Sequence, residues 1–296
     1  MFLTSLLVFL LSANIGLAND RLSVVAVNYP LQYIAERLLG ERADVVFPVP
    51  EGVDPSFWRP TIADISNIQA ADLILLNGAG FASWVDRVSL PRSKLVDTSA
   101  GIKDQLIVTE SIVHSHGDGG EHTHEGIATY TWLDPTLAIA QARAIMAAAI
   151  RLGLVDANDV EDSFDALSAD LEMLDDQTQK ALNGSTDVHL IATHPRYQYF
   201  ARRYAVPISA LEWDAGSEPS DEQVKDLEKL VSETGARILI WEAEPSAGTV
   251  EAIAELGVTS VTFSPLAQPT DGMDYLQAIE MAVSGLADAI GRQSDN

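Results

Sequence analysis

Four histidines fall within eleven residues: His114, His116, His122 and His124 form two His-x-His pairs on either side of Gly117-Asp-Gly-Gly120, with Asp118 and Glu121 beside them. Neutral imidazoles and carboxylates are the donors zinc takes when no thiolate is offered. A polar, glycine-rich segment of this kind can close around an ion and be ordered by it. Four imidazoles so close together have no use in a core, so the segment is read as a loop that collects metal. The remaining histidines are His189 and His194. His189 lies within a β-rich run and is read as packed or surface-facing. His194 follows that run at Thr193-His194-Pro195, beyond the carboxyl end of a strand, where open α/β sheets place their ligands.

Composition narrows the classes of function. The chain has 296 residues, no cysteine and a net charge of −25. Absence of cysteine rules out a disulfide framework and a thiolate metal site. The negative charge opposes binding to nucleic acid or to anionic lipid head groups. Residues 1–18 read as an apolar segment ending Gly16-Leu17-Ala18 before the polar Asn19-Asp20, the pattern of a secretory signal peptide cut near Ala18. Its apolar run is too short to span a membrane comfortably, so no stable membrane insertion is expected after cleavage. A periplasmic protein is the expectation.

The elements that must hold these residues follow from periodicity. Leu22–Val27, Val45–Val49, Leu73–Leu76 and Lys94–Val96 are near-continuous apolar runs, alternating with helical patterns from Tyr29, Thr61 and Trp84. A further helix runs from Pro135 to about Gly153. Apolar strands alternating with helices imply a parallel sheet covered on both faces. From Asp156 to Leu182 the pattern becomes one uninterrupted amphipathic helix: Val160, Phe164, Leu167, Leu171, Leu174 and Leu182 share a stripe, Asn158 and Asp159 are candidate caps, and Asn183-Gly184 offers a left-handed stop. At 1.5 Å per residue it would be about 40 Å long, more than one lobe needs. Beyond it the α/β pattern restarts, with strands at Val188–Ala192, Val206–Ser209, Arg237–Trp241 and Ser260–Phe263. The expected fold class is α/β, two open parallel-sheet lobes joined by one long rigid helix. Residues 19–154 form the first lobe with the His-rich loop 113–126, residues 155–184 the spine, and residues 185–296 the second lobe.

With that framework the chain resembles the solute-binding receptors of zinc and manganese ABC importers. The motifs are Gly52-Val-Asp-Pro55 with Pro60-Thr61, Ala71-Asp72-Leu73 with Asn77-Gly78, and Trp132-Leu-Asp-Pro135. They continue with Thr193-His194 followed by Tyr199-Phe200-Ala201 and Arg203-Tyr204, then Glu218-Pro219-Ser220 and the strand ending at Glu242. The resemblance implies two α/β lobes on one helix, metal held between them by three histidines and a carboxylate, and delivery to an ABC permease. Carried over position by position, the ligand set here reads Ser56, Tyr130, His194 and Ser264. One histidine of three is kept, and the carboxylate is replaced by a serine.

Hydroxyls of Ser and Tyr give up their protons only at high pH and are poor donors to zinc, so this quartet predicts weak binding of a bare dication. A chelate whose own donors fill the coordination shell escapes that difficulty. Trp58, Trp132, Trp213 and Trp241 are expected in the core or cleft wall, and several of them facing the cleft would favour an organic ligand. Glu212, Asp214 and Glu242 are candidate carboxylates near the cleft. The expected function is a monomeric periplasmic receptor that captures zinc, another transition metal or its chelate, with the four loop histidines as possible additional ligands and no catalytic cofactor. Alternatives on the same scaffold are a receptor for a small organic ligand and an accessory or adhesion protein. An enzyme is not expected: Ser56 and His194 with an acid lack the Gly-x-Ser-x-Gly elbow.

Overall fold

The computed structural model describes residues 21–109, 126–213, 217–270 and 272–294. The His-x-His segment, residues 1–18 and Asp214 lie outside the described residues.

The first lobe is a four-stranded sheet of β1 (Leu22–Ala26), β2 (Ala43–Val46), β3 (Leu73–Leu76) and β4 (Leu95–Asp97), all parallel, in the order β2-β1-β3-β4. The central strands are buried through Val24, Val25, Ala26, Leu73, Ile74 and Leu75, as strands covered on both faces must be. The first helix, α1 (Tyr29–Leu39), starts where Asn28 Oδ1 accepts the Leu31 N–H at 3.0 Å, and it buries Leu31, Ile34, Ala35, Leu38 and Leu39. Thr61 and Asp64 close a reciprocal capping box on α2 (Ile62–Ala70). A pair of short antiparallel strands, β5 (Val108–Thr109) and β6 (Gly126–Ile127), precedes α3 (Pro135–Arg151). Trp84 was expected to open a helix; the segment is a single 3₁₀ stretch, Ser83–Arg87, before Pro91 forces extended backbone.

The spine, α4 (Glu161–Ala181), has 21 residues, about 31 Å at 1.5 Å per residue. It begins later than its sequence pattern suggests because Ala157–Asp159 form a separate 3₁₀ turn, and Val160 precedes the helix with no side-chain cap. Its stop is as expected, with Gly184 at φ 85, a left-handed conformation that favours glycine. The spine is bolted to each side by an ion pair. Asp170 meets Arg37 of α1 at 2.6 Å, and Asp175 accepts Arg203 Nε at 2.8 Å, a second close bond from Arg203 Nη2, and the Tyr204 hydroxyl at 3.1 Å.

The second lobe repeats the first. Strands β7 (Leu190–Ala192), β8 (Ile208–Ala210), β9 (Ile238–Trp241) and β10 (Thr259–Thr262) run parallel in the order β8-β7-β9-β10, interleaved with α5 (Gln198–Tyr204), α6 (Asp221–Thr234) and α7 (Ala247–Glu255). Each sheet therefore reverses its strand order between its first and third strands, at β1/β3 and at β7/β9, the place where open sheets leave a crevice. The last helix, α8 (Tyr275–Ser294), crosses back: the Tyr275 hydroxyl donates to the Trp132 carbonyl at 2.6 Å. The lobes also meet directly. Trp132 Nε1 donates to Pro265 O at 2.7 Å, Tyr29 N to Ala267 O at 3.1 Å, Gln268 Nε2 to Val53 O at 2.6 Å, and Tyr199 Oη to Ala128 O at 2.9 Å. One continuous apolar core joins both sheets through the spine.

Candidate functional site

The two crevices are filled differently. In the first lobe, Asn28 follows β1 and Asn77 follows β3, and the two amides meet at 3.4 Å. Asn77 Oδ1 also accepts from Thr131 Oγ1 at 3.2 Å and Gln141 Nε2 at 3.1 Å, while its Nδ2 donates to Thr129 O at 2.9 Å. This buried, mutually satisfied network closes the crevice and fixes the backbone on both sides of Tyr130. The Tyr130 ring is buried and packs against Phe81 and Trp132, with centroids 5.7 and 4.7 Å away. Its hydroxyl lies 3.5 Å from Ser56 Oγ. Ser56 is held by a local turn in which its N–H donates to Asp54 Oδ1 at 2.8 Å.

In the second lobe the crevice carries ionisable groups. His194 follows β7 and Glu242 follows β9. His194 Nδ1 lies 3.1 Å from the Trp213 carbonyl. A carbonyl only accepts, so Nδ1 is the donor here, and in the neutral ring Nε2 then keeps its lone pair, the arrangement a metal-binding imidazole needs. Ser264, after β10, turns its Oγ toward its own chain and accepts from Leu266 N at 3.2 Å.

Between the lobes lies the side chain of Arg196. Its Nη2 donates to Asp54 Oδ2 of the first lobe at 2.7 Å, and its Nε stands 2.6 Å from Glu242 Oε1 of the second. The Glu242 contact is an ion pair whose angle is not that of a hydrogen bond, so Nε and Oε1 have no hydrogen-bond partner. The guanidinium also lies over the Tyr130 ring, 4.8 Å from its centroid. Burial works against the Asp54 carboxylate, but Arg196 and the Ser56 N–H outweigh it and hold Asp54 below the usual carboxylate range. At Glu242 burial wins: its carboxyl is pushed up, with Arg196 and His194 offsetting the effect only in part.

Two cavities open on this arrangement. The larger, about 490 Å³, is lined by Asp54, Phe57, His194, Arg196, Glu242 and Ser264 among others. The smaller, about 230 Å³, is lined by Ser56, Phe57, Phe81, Tyr130, His194 and Arg196 among others. All four sequence-matched positions therefore line this region, but as two pairs, Ser56 with Tyr130 and His194 with Ser264; of the four, His194 belongs to both cavities, as do Phe57 and Arg196. None of the four expected tryptophans lines either cavity: Trp58 packs edge-on to Trp84, Trp213 against Trp241, and Trp132 is buried. The aromatic walls are Phe57, 71% exposed, with Phe81 and Tyr130.

Sequence reading missed Arg196 and the role of Asp54. The available signal was a lone cation two residues beyond a strand-end histidine, in a chain with 43 acidic and 18 basic side chains. Ser56 and His194 do not form a nucleophile–base pair: the hydroxyl contacts Tyr130, and His194 Nδ1 contacts a carbonyl.

Comparison with known proteins agrees with the architecture. Residues 24–289 match the family model described as "Zinc-uptake complex component A periplasmic". The chain is similar to the high-affinity zinc uptake system protein ZnuA of Bacillus subtilis, 25% identical over 291 residues covering 92% of this chain and 88% of that protein. It is also 25% identical over 288 residues to the zinc-binding lipoprotein AdcA of Streptococcus pneumoniae, covering 91% of this chain; it spans only 56% of that relative's length. Among solved structures, the metal-dependent lipoprotein YcdH of Bacillus subtilis shares the fold with a TM-score of 0.77 at 22% identity, over 90% of this chain and 98% of that one. No helix among the described residues is long and apolar enough to cross a membrane.

Proposed function

The chain belongs to the family of periplasmic component A of zinc-uptake complexes, and on that premise we propose that it captures a transition metal, zinc first, as a complex and presents it to the permease of an ABC importer. The observation that carries this reading is the donor set. His194, with Nε2 left free by the Trp213 carbonyl, is the one imidazole at the crevice among the described residues, and its matched companions Ser56, Tyr130 and Ser264 offer only hydroxyls. One imidazole and three neutral hydroxyls fall short of the four good donors a bare zinc ion takes. A metal that arrives with oxygen or nitrogen donors of its own needs from the protein only one ligand and a shaped cavity. Together the two cavities suit a small complex better than a naked ion.

In this reading residues 1–18 are removed on export, the mature chain works as a monomer in the periplasm, and His114, His116, His122 and His124 gather zinc without forming the delivered site. No catalytic role is assigned to it. The test is isothermal titration of the metal-stripped mature protein with zinc chloride and with zinc citrate, beside His194→Ala and a variant lacking residues 113–125. Complex binding that requires His194 and survives loop removal is expected. Tight binding of free zinc that disappears with the loop, together with no binding of the complex, would overturn the proposal.

A further inference from the structure

Arg196 stands where the four matched positions should meet. It lines both cavities, the one that holds Ser56 and Tyr130 and the one that holds Ser264. Its side chain is only 10% exposed, and it takes one carboxylate from each lobe, Asp54 at 2.7 Å and Glu242 at 2.6 Å, with the Tyr130 ring beneath it. A permanent cation thus occupies the gap a dication would enter, already matched to acidic groups that could otherwise serve a metal. Neither pairing is complete. The Glu242 contact lacks hydrogen-bond geometry, and Nη1 makes no hydrogen bond to the described residues. A planar guanidinium with donors to spare recognises a carboxylate through two parallel N–H bonds, and Asp54 then reads as the internal occupant of that place.

We propose that Arg196 sets the specificity of this receptor: its fixed charge turns bare dications away from His194, and its free donors select a metal complex that carries carboxylate groups. The inference rests on the metal-receptor reading and names the chemical class of its cargo. Asp54 holds the guanidinium from the first lobe and yields it to an incoming carboxylate; Glu242, more deeply buried, keeps it in place from the second lobe.

The test is native mass spectrometry and isothermal titration on the full mature chain, with zinc chloride and zinc citrate as probes. Arg196→Gln is expected to gain a zinc site with affinity roughly tenfold or more above the wild-type cleft, a conservative figure for removing a unit charge within ~5 Å of a dication. That gain is expected to vanish in Arg196→Gln/His194→Ala and to be absent in Arg196→Lys, which keeps the charge. Asp54→Asn frees the guanidinium and is expected to bind zinc citrate about tenfold more tightly with no gain for free zinc; it carries the test if Arg196→Gln does not fold. Unchanged zinc affinity in Arg196→Gln, an equal gain in Arg196→Lys, or no gain for zinc citrate in Asp54→Asn would each overturn the inference. If the wild type binds zinc citrate through His194 and none of these variants alters selectivity, the receptor reading stands and the role of Arg196 falls. If the wild type binds neither probe at the cleft while Arg196→Gln acquires a His194-dependent zinc site, the charge barrier stands and the cargo reading falls.

Discussion

The two ion pairs that fix the spine helix should differ several-fold in what they contribute. Asp175 and Asp170 lie five residues apart on α4, and each receives an arginine from a different lobe. The side chain of Asp175 is 9% exposed and accepts two bonds from Arg203 and one from the Tyr204 hydroxyl, whereas Asp170 is 38% exposed and accepts one arginine that is 33% exposed. Breaking a fully buried ion pair costs about 3–5 kcal/mol, and a solvent-exposed pair contributes about 0.2–1 kcal/mol. Arg203 retains 30% exposure and can turn to water, which lowers its side of the loss. Asp175→Asn should therefore destabilise by about 2–3 kcal/mol and Asp170→Asn by about 0.5 kcal/mol. At an unfolding entropy of about 2.1 cal/mol/K per residue, the first corresponds to a fall in Tm of roughly 3–5 °C and the second to about 1 °C. Urea unfolding of the metal-stripped protein gives both values, and a double-mutant cycle of Asp175→Asn with Arg203→Met isolates the pair. Equal costs for the two variants, or a cost below about 1 kcal/mol at Asp175, would refute the argument that burial decides which bolt matters.

Gly78 sits at φ +74, and a Cβ there would stand 2.1 Å from Asp97 Oδ1 and 2.8 Å from Ser99 Cβ. Gly78→Ala should cost roughly 3 kcal/mol from left-handed strain plus the clash; because Asn77 precedes it, displacement of Tyr130 should show as altered near-ultraviolet circular dichroism, and an unchanged spectrum with unchanged urea midpoint would contradict the account. Glu242 is raised by burial, with Arg196, His194 and Asp54 as the charges facing it. A carboxyl whose folded pKa lies above its unfolded value of about 4.3 keeps its proton longer in the folded state, so its contribution to stability is lost as pH rises through the folded value. In the metal-free protein Glu242→Gln should flatten that component of the urea midpoint above about pH 4.3; a slope identical to wild type would show that Glu242 does not titrate in that range.

The architecture was legible because its signals are local. Apolar runs bounded by Gly, Asn and Pro gave the eight parallel strands among the described residues and the repeat of the lobes, and the stripe Phe164, Leu167, Leu171, Leu174 gave the spine. The misses were also local in kind. A 3₁₀ turn at Ala157–Asp159 and the 3₁₀ stretch at Ser83–Arg87 carry the same short-range apolar spacing as a helix start, and hydrogen-bond geometry rather than residue type separates them. What no window of sequence contains is the contact between lobes. Trp132 to Pro265, and Gln268 to Val53, join residues more than a hundred positions apart.

The site divides along the same line. His194 was readable as a strand-end residue, and the hydroxyls of Ser56 and Tyr130, at the positions the family resemblance singled out, were readable as poor donors to a bare ion. The compensation was not, because it is spread over three segments: Asp54 before the serine that replaced a ligand, Arg196 after the histidine that remained, and Glu242 at the end of a neighbouring strand. Each residue alone looks like ordinary surface charge in an acidic chain. Folding brings each carboxylate to within 2.7 Å of Arg196, guanidinium between them, and this changes what the substitutions mean. Serine and tyrosine in place of histidine would by themselves describe a decayed metal site. With a buried arginine set among them, the same substitutions describe a cleft whose polarity has been changed to favour an anionic complex, and that difference is what the zinc response of Arg196→Gln measures.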